Sequence, residues 1–409
     1  DVDATEVRHH LRHEFFPLRA IRHVTLDGKA SREFVRKRLQ TVQAPGGDRH
    51  LRTSSVENAC EPGAKTGRRT GDDGDLPVES EQRQWVDRGR ISHAPRLFRA
   101  LCCASMETVK IRVGYGLGVR TKLNDTGFIE VVDTLEKLRF DSLWLSERIG
   151  GEAPDPLVAM SFAAARTTKL KFGMSVMVLP GRNPIVLAKE LATLDRMSNG
   201  RLLPAFGLGV ADPQEQQAFG VERTKRAKMF NEALAVVRSC WTDESVSFHG
   251  EHYNYDNLRV EPKPKQSPPD VWLGGIAESE LKRVGRLADG WLPSFVTPAD
   301  AEAGWKVIND VAREHDREIE DEHFGVLIPY SIGPAPEAVL NGLRARRPDL
   351  DDISVIVPQG WDELQNAIRR FVDMGASKFV VIPMVEPASP AEWVSHLHDA
   401  ADVLLPLQN

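Results

Sequence analysis

Between residues 106 and 409, eight short apolar runs alternate with segments of helical period, and this alternation limits the fold more than any other feature of the sequence. The runs are IRVGYGLG (111–118), DSLWLS (141–146), LKFGMSVMVLP (170–180), LLPAFGLGV (202–210), DVWLGG (270–275), DGWLPSF (289–295), FGVLIPYSI (324–332) and KFVVIP (378–383). Most are near-continuous in apolar character, as strands are when a parallel sheet is covered on both faces. The intervening segments carry helix signals. Phe128, Val132, Leu135 and Leu138 share one helical face behind Asp125 as a cap. Asp155 precedes Pro156 at a first helical position, and a further helix enters at Pro184 and closes at Asn199-Gly200. Eight such units predict an α/β (β/α)8 TIM barrel, for which about 250 residues suffice. The surplus is assigned to a β-hairpin insertion over 246–260 and to an irregular Pro-rich segment, 333–360, that covers one end. A doubly wound open sheet is the alternative that the strand count leaves open.

Residues 1–105 read differently. They hold 16 arginines against 3 lysines and carry about +4 net charge, leaving about −10 on 106–409. The stretch GDRHLRTSSVENACEPGAKTGRRTGDDGDLP has neither helical nor strand period and is polar, Gly-rich and mixed in charge, as disordered segments are. Only ASREFVRKRLQTV predicts a short basic helix. The expectation is a disordered or non-native extension ahead of a barrel domain over 106–409, with Met106 as a candidate start. No apolar run near the beginning suggests a secretory signal. The net charge of −6 gives no basic footprint for nucleic acid. No apolar run reaches the ~18 residues of a membrane span. Three of the four cysteines (Cys60, Cys102, Cys103) lie in the extension and only Cys240 in the body, which fits no disulfide framework and suits a cytoplasmic protein.

The reactive end of a barrel is the C-terminal end of its strands. Strand one ends in Gly116-Leu117-Gly118 and strand two in Ser146-Glu147-Arg148. Strand three passes through Gly173-Met174-Ser175-Val176. Strand four ends in Gly207-Leu208-Gly209 and strand five in Gly274-Gly275. Small residues at this rim let a large flat ligand approach the backbone. After Gly274-Gly275 a helix begins near Ala277, and its free N–H groups and dipole favour an anion. Ser279 adds a hydroxyl there, whereas Glu278 in the first turn opposes a phosphate. A plain turn accounts for the two glycines equally well at this level. GYGLGV and GLGVAD fail the G-x-G-x-x-G spacing, and HGEH (249–252) falls at a hairpin turn, so neither a Rossmann site nor a metal site is read from them. Glu147 is the one acid placed on the rim, with a salt bridge to a rim cation as its structural alternative. With no nucleophile elbow, Schiff-base lysine or Walker motif in view, a bound cofactor is expected to carry the chemistry.

FDSLWLSER, LKFGMSVMVLPGRNPIVLAKELATLDRMSNGRLLPAFGLGV, AFGVERTKRAKMFNEALAVVRSCW and VWLGGIAESELKRVGRLADGWLPSF resemble, in order, the bacterial luciferase-like monooxygenase family over about 110–385, and are most similar to its coenzyme F420-dependent branch. The resemblance implies a barrel holding a flavin or deazaflavin at the rim, with a non-proline cis peptide at Ser175–Val176 behind the ring. It implies phosphate contacts at Gly274, Gly275 and the following backbone of Ile276 and Ala277, and a cofactor flanked by Ser146, Gly207 and Gly209. The acid-plus-His pair of relatives corresponds to Glu147 and Arg148, which makes these the candidate catalytic residues, Glu147 as an acid in contact with the ring. The arginine for His puts a proton relay there in doubt and suggests contact with an anionic group instead. Val210 stands where luciferases proper place an arginine on FMN phosphate, which favours F420 over FMN. The expected function is F420-dependent hydride transfer to or from a small organic substrate. An FMN-dependent monooxygenase using O2, a non-catalytic flavin-binding protein and a cofactor-free lyase are the rivals. A homodimer is implied by the resemblance alone.

Overall fold

The computed structural model describes residues 110–123 and 125–409. The readings made of residues 1–105, including the basic helix and three cysteines, lie outside the described residues. Along the described chain run β1 (Arg112–Leu117), α1 (Asp125–Leu138), β2 (Ser142–Leu145), α2 (Pro156–Arg166), β3 (Lys171–Met174), β4 (Met177–Val178), α3 (Pro184–Met197), β5 (Leu202–Leu203), β6 (Ala205–Gly207), α4 (Pro213–Phe219) and α5 (Arg226–Thr242). There follow β7 (Val246–His249), β8 (Asn254–Leu258), β9 (Trp272–Leu273), α6 (Glu278–Leu287), β10 (Gly290–Trp291), α7 (Pro298–Glu314), β11 (Gly325–Tyr330), α8 (Glu337–Arg346), α9 (Trp361–Val372), β12 (Lys378–Pro383) and α10 (Pro390–Leu404).

The barrel has eight staves because two of them are interrupted. β3 and β4 are one stave broken at Ser175–Val176, and β5 and β6 are one stave broken at Pro204, which has no N–H to give to the ladder. Parallel ladders run β11-β12-β1-β2-β3-β5 and β10-β9-β6-β4. Parallel bridges Trp291↔Phe324 and Ser294↔Leu327 join β10 to β11 and close the ring. Closure excludes the open sheet. β7 and β8 form the expected antiparallel hairpin. Two helix starts follow their sequence signals: Asp155 Oδ1 accepts from Val158 N at 3.0 Å, and Asn183 Oδ1 from Ile185 N at 3.0 Å. At α1 the helix already includes Asp125, so that residue is not the preceding cap.

Apolar side chains sort into two layers. Val113, Tyr115 and Leu117 of β1 belong to the large core between staves and helices, while Trp144, Ala205, Trp272, Leu292, Leu327 and Val380 fill the barrel lumen. Trp144 sets what its neighbours can be. A Cβ on Gly114 would lie 2.9 Å from its Nε1, and one on Gly173 2.8 Å from its ring. At the opposite, N-terminal end, Asp141 accepts from Lys171 Nζ at 3.0 Å and Lys378 Nζ at 2.9 Å, with Arg112 at 3.8 Å. Burial pushes the Asp141 carboxyl up, but Lys378 and then Lys171 more than reverse this and hold it at about 2. Lys378 is also lowered, by burial first, because one carboxylate serves three cations.

The segment 333–360 is not irregular throughout. Pro336 sits at the N-cap of α8, so the prolines start a helix rather than prevent one. That helix lies over the C-terminal mouth of the barrel, where it lines the cavity described next.

Candidate functional site

A cavity of about 1100 Å³ opens at the C-terminal ends of the staves. Ligand pockets usually span roughly 300–1,000 Å³, so there is room here for more than one small molecule. Ser146, Glu147, Arg148, Ser175, Val176, Gly207, Gly209, Gly274, Gly275 and Ile276 all line it. Ala277 does not; its N–H turns to the Glu280 carboxylate at 3.3 Å.

One wall is a bulge. The Ser175–Val176 peptide is cis, and Ser175 Oγ is buried without a hydrogen-bond partner. Val176 leans over the next two staves. A Cβ on Gly207 would lie 2.4 Å from Val176 Cγ2, so that stave must be bare, whereas one on Gly274 would stand 3.7 Å from Val176 Cγ1. The bulge is clamped from behind. Val178 N donates to Glu147 Oε2 at 2.7 Å, Arg182 Nε donates to Val178 O at 2.8 Å, and Arg182 Nη2 closes the triangle on Glu147 Oε1. Burial pushes the Glu147 carboxyl up, against the pull of Arg182 and the Val178 N–H. Both of its oxygens are engaged, and its side chain is only 3% exposed. Glu147 therefore reaches the cavity as part of the clamp. The salt-bridge alternative holds for it, with Arg182 as the partner.

Arg148 is likewise committed. Its Nη2 donates to Asp212 at 2.6 Å, and its Nε lies 3.8 Å from Glu215, which also accepts from Gly150 N at 3.3 Å. It ties the loop after β2 to the start of α4. The sequence-level expectation that Arg148 meets an anionic ligand has to contend with these two carboxylates.

The opposite corner combines a glycine turn, a helix start and two guanidinium groups. Gly275 has φ +98°, a conformation side chains disfavour, and its carbonyl accepts from Trp291 Nε1 at 2.9 Å. In a trans peptide the following N–H, that of Ile276, then points the other way. The helix α6 starts two residues on. Glu278, expected to oppose an anion, instead pairs outward with Lys282 at 2.6 Å. The acid at the turn is Glu280, whose Oε2 would lie 2.4 Å from a Cβ on Gly275. Facing it are two guanidinium groups. Arg283 is 8% exposed, donates from Nε to Asn231 Oδ1 at 3.1 Å and lies over the Phe230 ring. Arg346 of α8 lies over the Phe295 ring at 4.6 Å. Burial lowers the pKa of both, and Glu280 opposes that in each. No carboxylate forms a salt bridge with Arg283 among the described residues, so a chain carboxylate occupies this corner without neutralising it.

The sequence reading missed Arg182, Glu280, Arg283, Arg346 and Glu386. Glu386 sits three residues beyond β12, and its Oε1 accepts from Thr121 Oγ1 at 2.5 Å. Its place just beyond the end of the eighth stave, like that of Glu147 beyond the second, is the signal in the sequence that marks it. Among the described residues no group of three or more His, Cys, Asp or Glu is arranged to hold a metal, and no helix is long and apolar enough to cross a membrane.

The fold that carries this cavity has counterparts in known proteins. The F420-dependent glucose-6-phosphate dehydrogenase of Amycolatopsis mediterranei is 26% identical over 310 residues, covering 66% of this chain and 92% of that one. An F420-dependent secondary alcohol dehydrogenase solved with an F420-acetone adduct superposes with a TM-score of 0.62 at 20% identity, covering 73% of this chain and 100% of its own. The oxygenating constituent of 3,6-diketocamphane monooxygenase from Pseudomonas putida, solved with FMN, does so with a TM-score of 0.59 at 16% identity, covering 73% and 99%. At these identities the two structures speak for the fold alone. The family model described as luciferase-like monooxygenase matches residues 98–373, from ahead of β1 to the end of α9. The chain belongs to the luciferase-like monooxygenase family.

Proposed function

We propose that this protein is an F420-dependent oxidoreductase that transfers a hydride to or from a small organic carbonyl compound, unsaturated compound or alcohol. The observation that carries the reading is the pairing, in one cavity, of an apolar bulge at Val176 with an anion corner at Gly274-Gly275 and Arg283. That pairing suits a ligand with a flat ring and an anionic tail. A bound deazaflavin supplies a hydride at its ring C5. The protein's own part is to seat the ring against Val176, to hold the bulge through Glu147 and Arg182, to meet the tail with Arg283 and the N–H groups before α6, and to limit water.

Val210 on the cavity lining, in place of a phosphate-gripping arginine, supports F420 over FMN. Arg283 supports a second reading as well, because a guanidinium there would serve FMN phosphate equally. That reading is an FMN-dependent monooxygenase using O2. Fluorescence titration of the full chain with each cofactor separates them. Tighter binding of F420 with hydride transfer supports the proposal, tighter binding of FMN with O2 consumption supports the second, and no binding of either refutes both. The homodimer implied by family resemblance is checked by light scattering of the same sample.

A further inference from the structure

Reduction of a carbonyl group needs a proton as well as a hydride, and the cavity offers few groups to supply one. Among the described residues no His, Cys, Tyr or Asp lines it, and the carboxyl groups that do are Glu147, Glu215, Glu280 and Glu386. Glu147 spends both oxygens on Arg182 and Val178 N. Glu215 faces Arg148 and Gly150 N. Glu280 binds the turn before α6 and faces Arg283 and Arg346. Glu386 is different. Thr121 donates to its Oε1, and among the described residues no cation forms a salt bridge with it and its Oε2 has no partner. Nor is Oε2 sealed away, since it is absent from the buried polar atoms that lack partners. Its stave, β12, is three places round the ring from the β3–β4 stave that carries Val176.

We propose that Glu386, oriented by Thr121, is the proton-transferring residue of this barrel, giving its carboxyl proton to the oxygen of a carbonyl substrate or taking it from an alcohol. The proposal rests on the hydride-transfer function proposed above. In the reducing direction the Glu386 O–H bond breaks and a substrate O–H bond forms. A C–H bond forms at the substrate carbon with the hydride that the reduced cofactor supplies. The substrate gains two electrons and the cofactor loses two. The carboxylate then regains a proton from water at the open mouth.

The surroundings suit the role. Burial pushes the Glu386 carboxyl up, and the Thr121 hydroxyl opposes this in part, which moves the group toward neutral pH, where proton transfer works best. Arg120 and Lys122 flank Thr121 on its loop and line the cavity, Lys122 paired to Glu152 at 2.8 Å. Tyr115 lies behind it in the stave–helix layer, hydrogen-bonded to Tyr330 at 2.9 Å, and Tyr330 to His396 at 2.6 Å.

The test uses the full chain as wild type, Glu386→Gln and Thr121→Val. Infrared titration of the cofactor-free protein reads the C=O stretch of a protonated carboxyl. Fluorescence gives F420 affinity, and oxidation of reduced F420 by cyclohexanone gives kcat against pH. We expect the wild type to show a carboxyl band that titrates above the usual glutamate range and a kcat that falls as pH rises through the same midpoint. In Glu386→Gln the band should lose the component that shares the kcat midpoint, leaving what the buried Glu147 contributes, the kcat limb should vanish and kcat should fall by roughly 10²–10³-fold, with F420 affinity within about twofold. Thr121→Val, which keeps the carboxyl but removes its donor, should move both midpoints to higher pH. A band of undiminished intensity in Glu386→Gln, or a kcat and pH limb unchanged in it, overturns the proton role while leaving the hydride function intact. A wild type that binds neither cofactor, or binds F420 without passing a hydride to the ketone, overturns the proton role together with the function it rests on.

Discussion

Replacing Gly207 by alanine probes the bulge directly. The new Cβ would stand 2.4 Å from Val176 Cγ2, far inside van der Waals contact. Val176 is β-branched, so rotation about its χ1 offers little escape. The methyl group must be accommodated by moving Val176 toward the cavity or by shifting β6. Overpacking of this kind costs about 1–3 kcal/mol. If the bulge yields into the ring's place, the cost falls on cofactor affinity, at tenfold per ~1.4 kcal/mol, or roughly 5- to 150-fold. If β6 yields instead, the cost shows as a lower melting temperature. Gly274→Ala is the matched control, because its Cβ would meet Leu292 O at 3.4 Å and Val176 Cγ1 at 3.7 Å, both ordinary contacts. Thermal melts and F420 titrations of the two variants decide the matter. We expect Gly207→Ala to lose affinity or stability by that amount and Gly274→Ala, whose Cβ the protein accommodates, to keep the wild-type melting temperature. Equal behaviour of the two, or wild-type behaviour of Gly207→Ala in both assays, would refute the account of the bulge.

Two other expectations follow from charges. The Asp141 carboxyl, held at about 2 against an ordinary value near 3.9, contributes about 2–3 kcal/mol to folding. Its folded value is lowered, so the contribution is complete above about pH 4 and is lost as pH falls toward 2. Urea midpoints measured across that window should show the loss in wild type, and Asp141→Asn should lack the slope while losing about 3–5 kcal/mol at neutral pH from three cations left without their carboxylate. Glu280→Gln removes the like charge at the anion corner and should tighten F420 binding, with a smaller tightening at high salt. Equal or weaker binding at low salt would mean that Glu280 does not compete with the tail.

The barrel was legible because parallel staves buried on both faces leave unbroken apolar runs, and because Asp155-Pro156 and Asn183-Pro184 mark helix starts by chemistry confined to a few residues. What escaped depends on partners distant in the chain or on small differences of phase. Glu147 and Arg182 are 35 residues apart, and only the closed ring brings both to Val178. Whether Glu278 or Glu280 meets the Gly275 turn is decided by two residues of helical phase, and the acid at the third helical position is the one that reaches back. Arg283 looks like one more charge on a polar helix until the packing of α6 against α7 and Phe230 fixes which face is buried. In 333–360 the density of proline masked a helix that begins just after one.

The central claim, that the corner before α6 holds the anionic tail of a redox cofactor, is tested most directly by comparing F420 with its deazaflavin chromophore lacking the phosphate-bearing tail. Both should be titrated against wild type and Arg283→Gln. We expect wild type to prefer whole F420, and Arg283→Gln to lose roughly 10-fold or more of its affinity for F420 while binding the tail-less chromophore as before, since a hydrogen bond to a charged group is worth about 1.5–3 kcal/mol. Equal affinity of wild type for the two ligands, or a variant that keeps the full preference for F420, would contradict the claim.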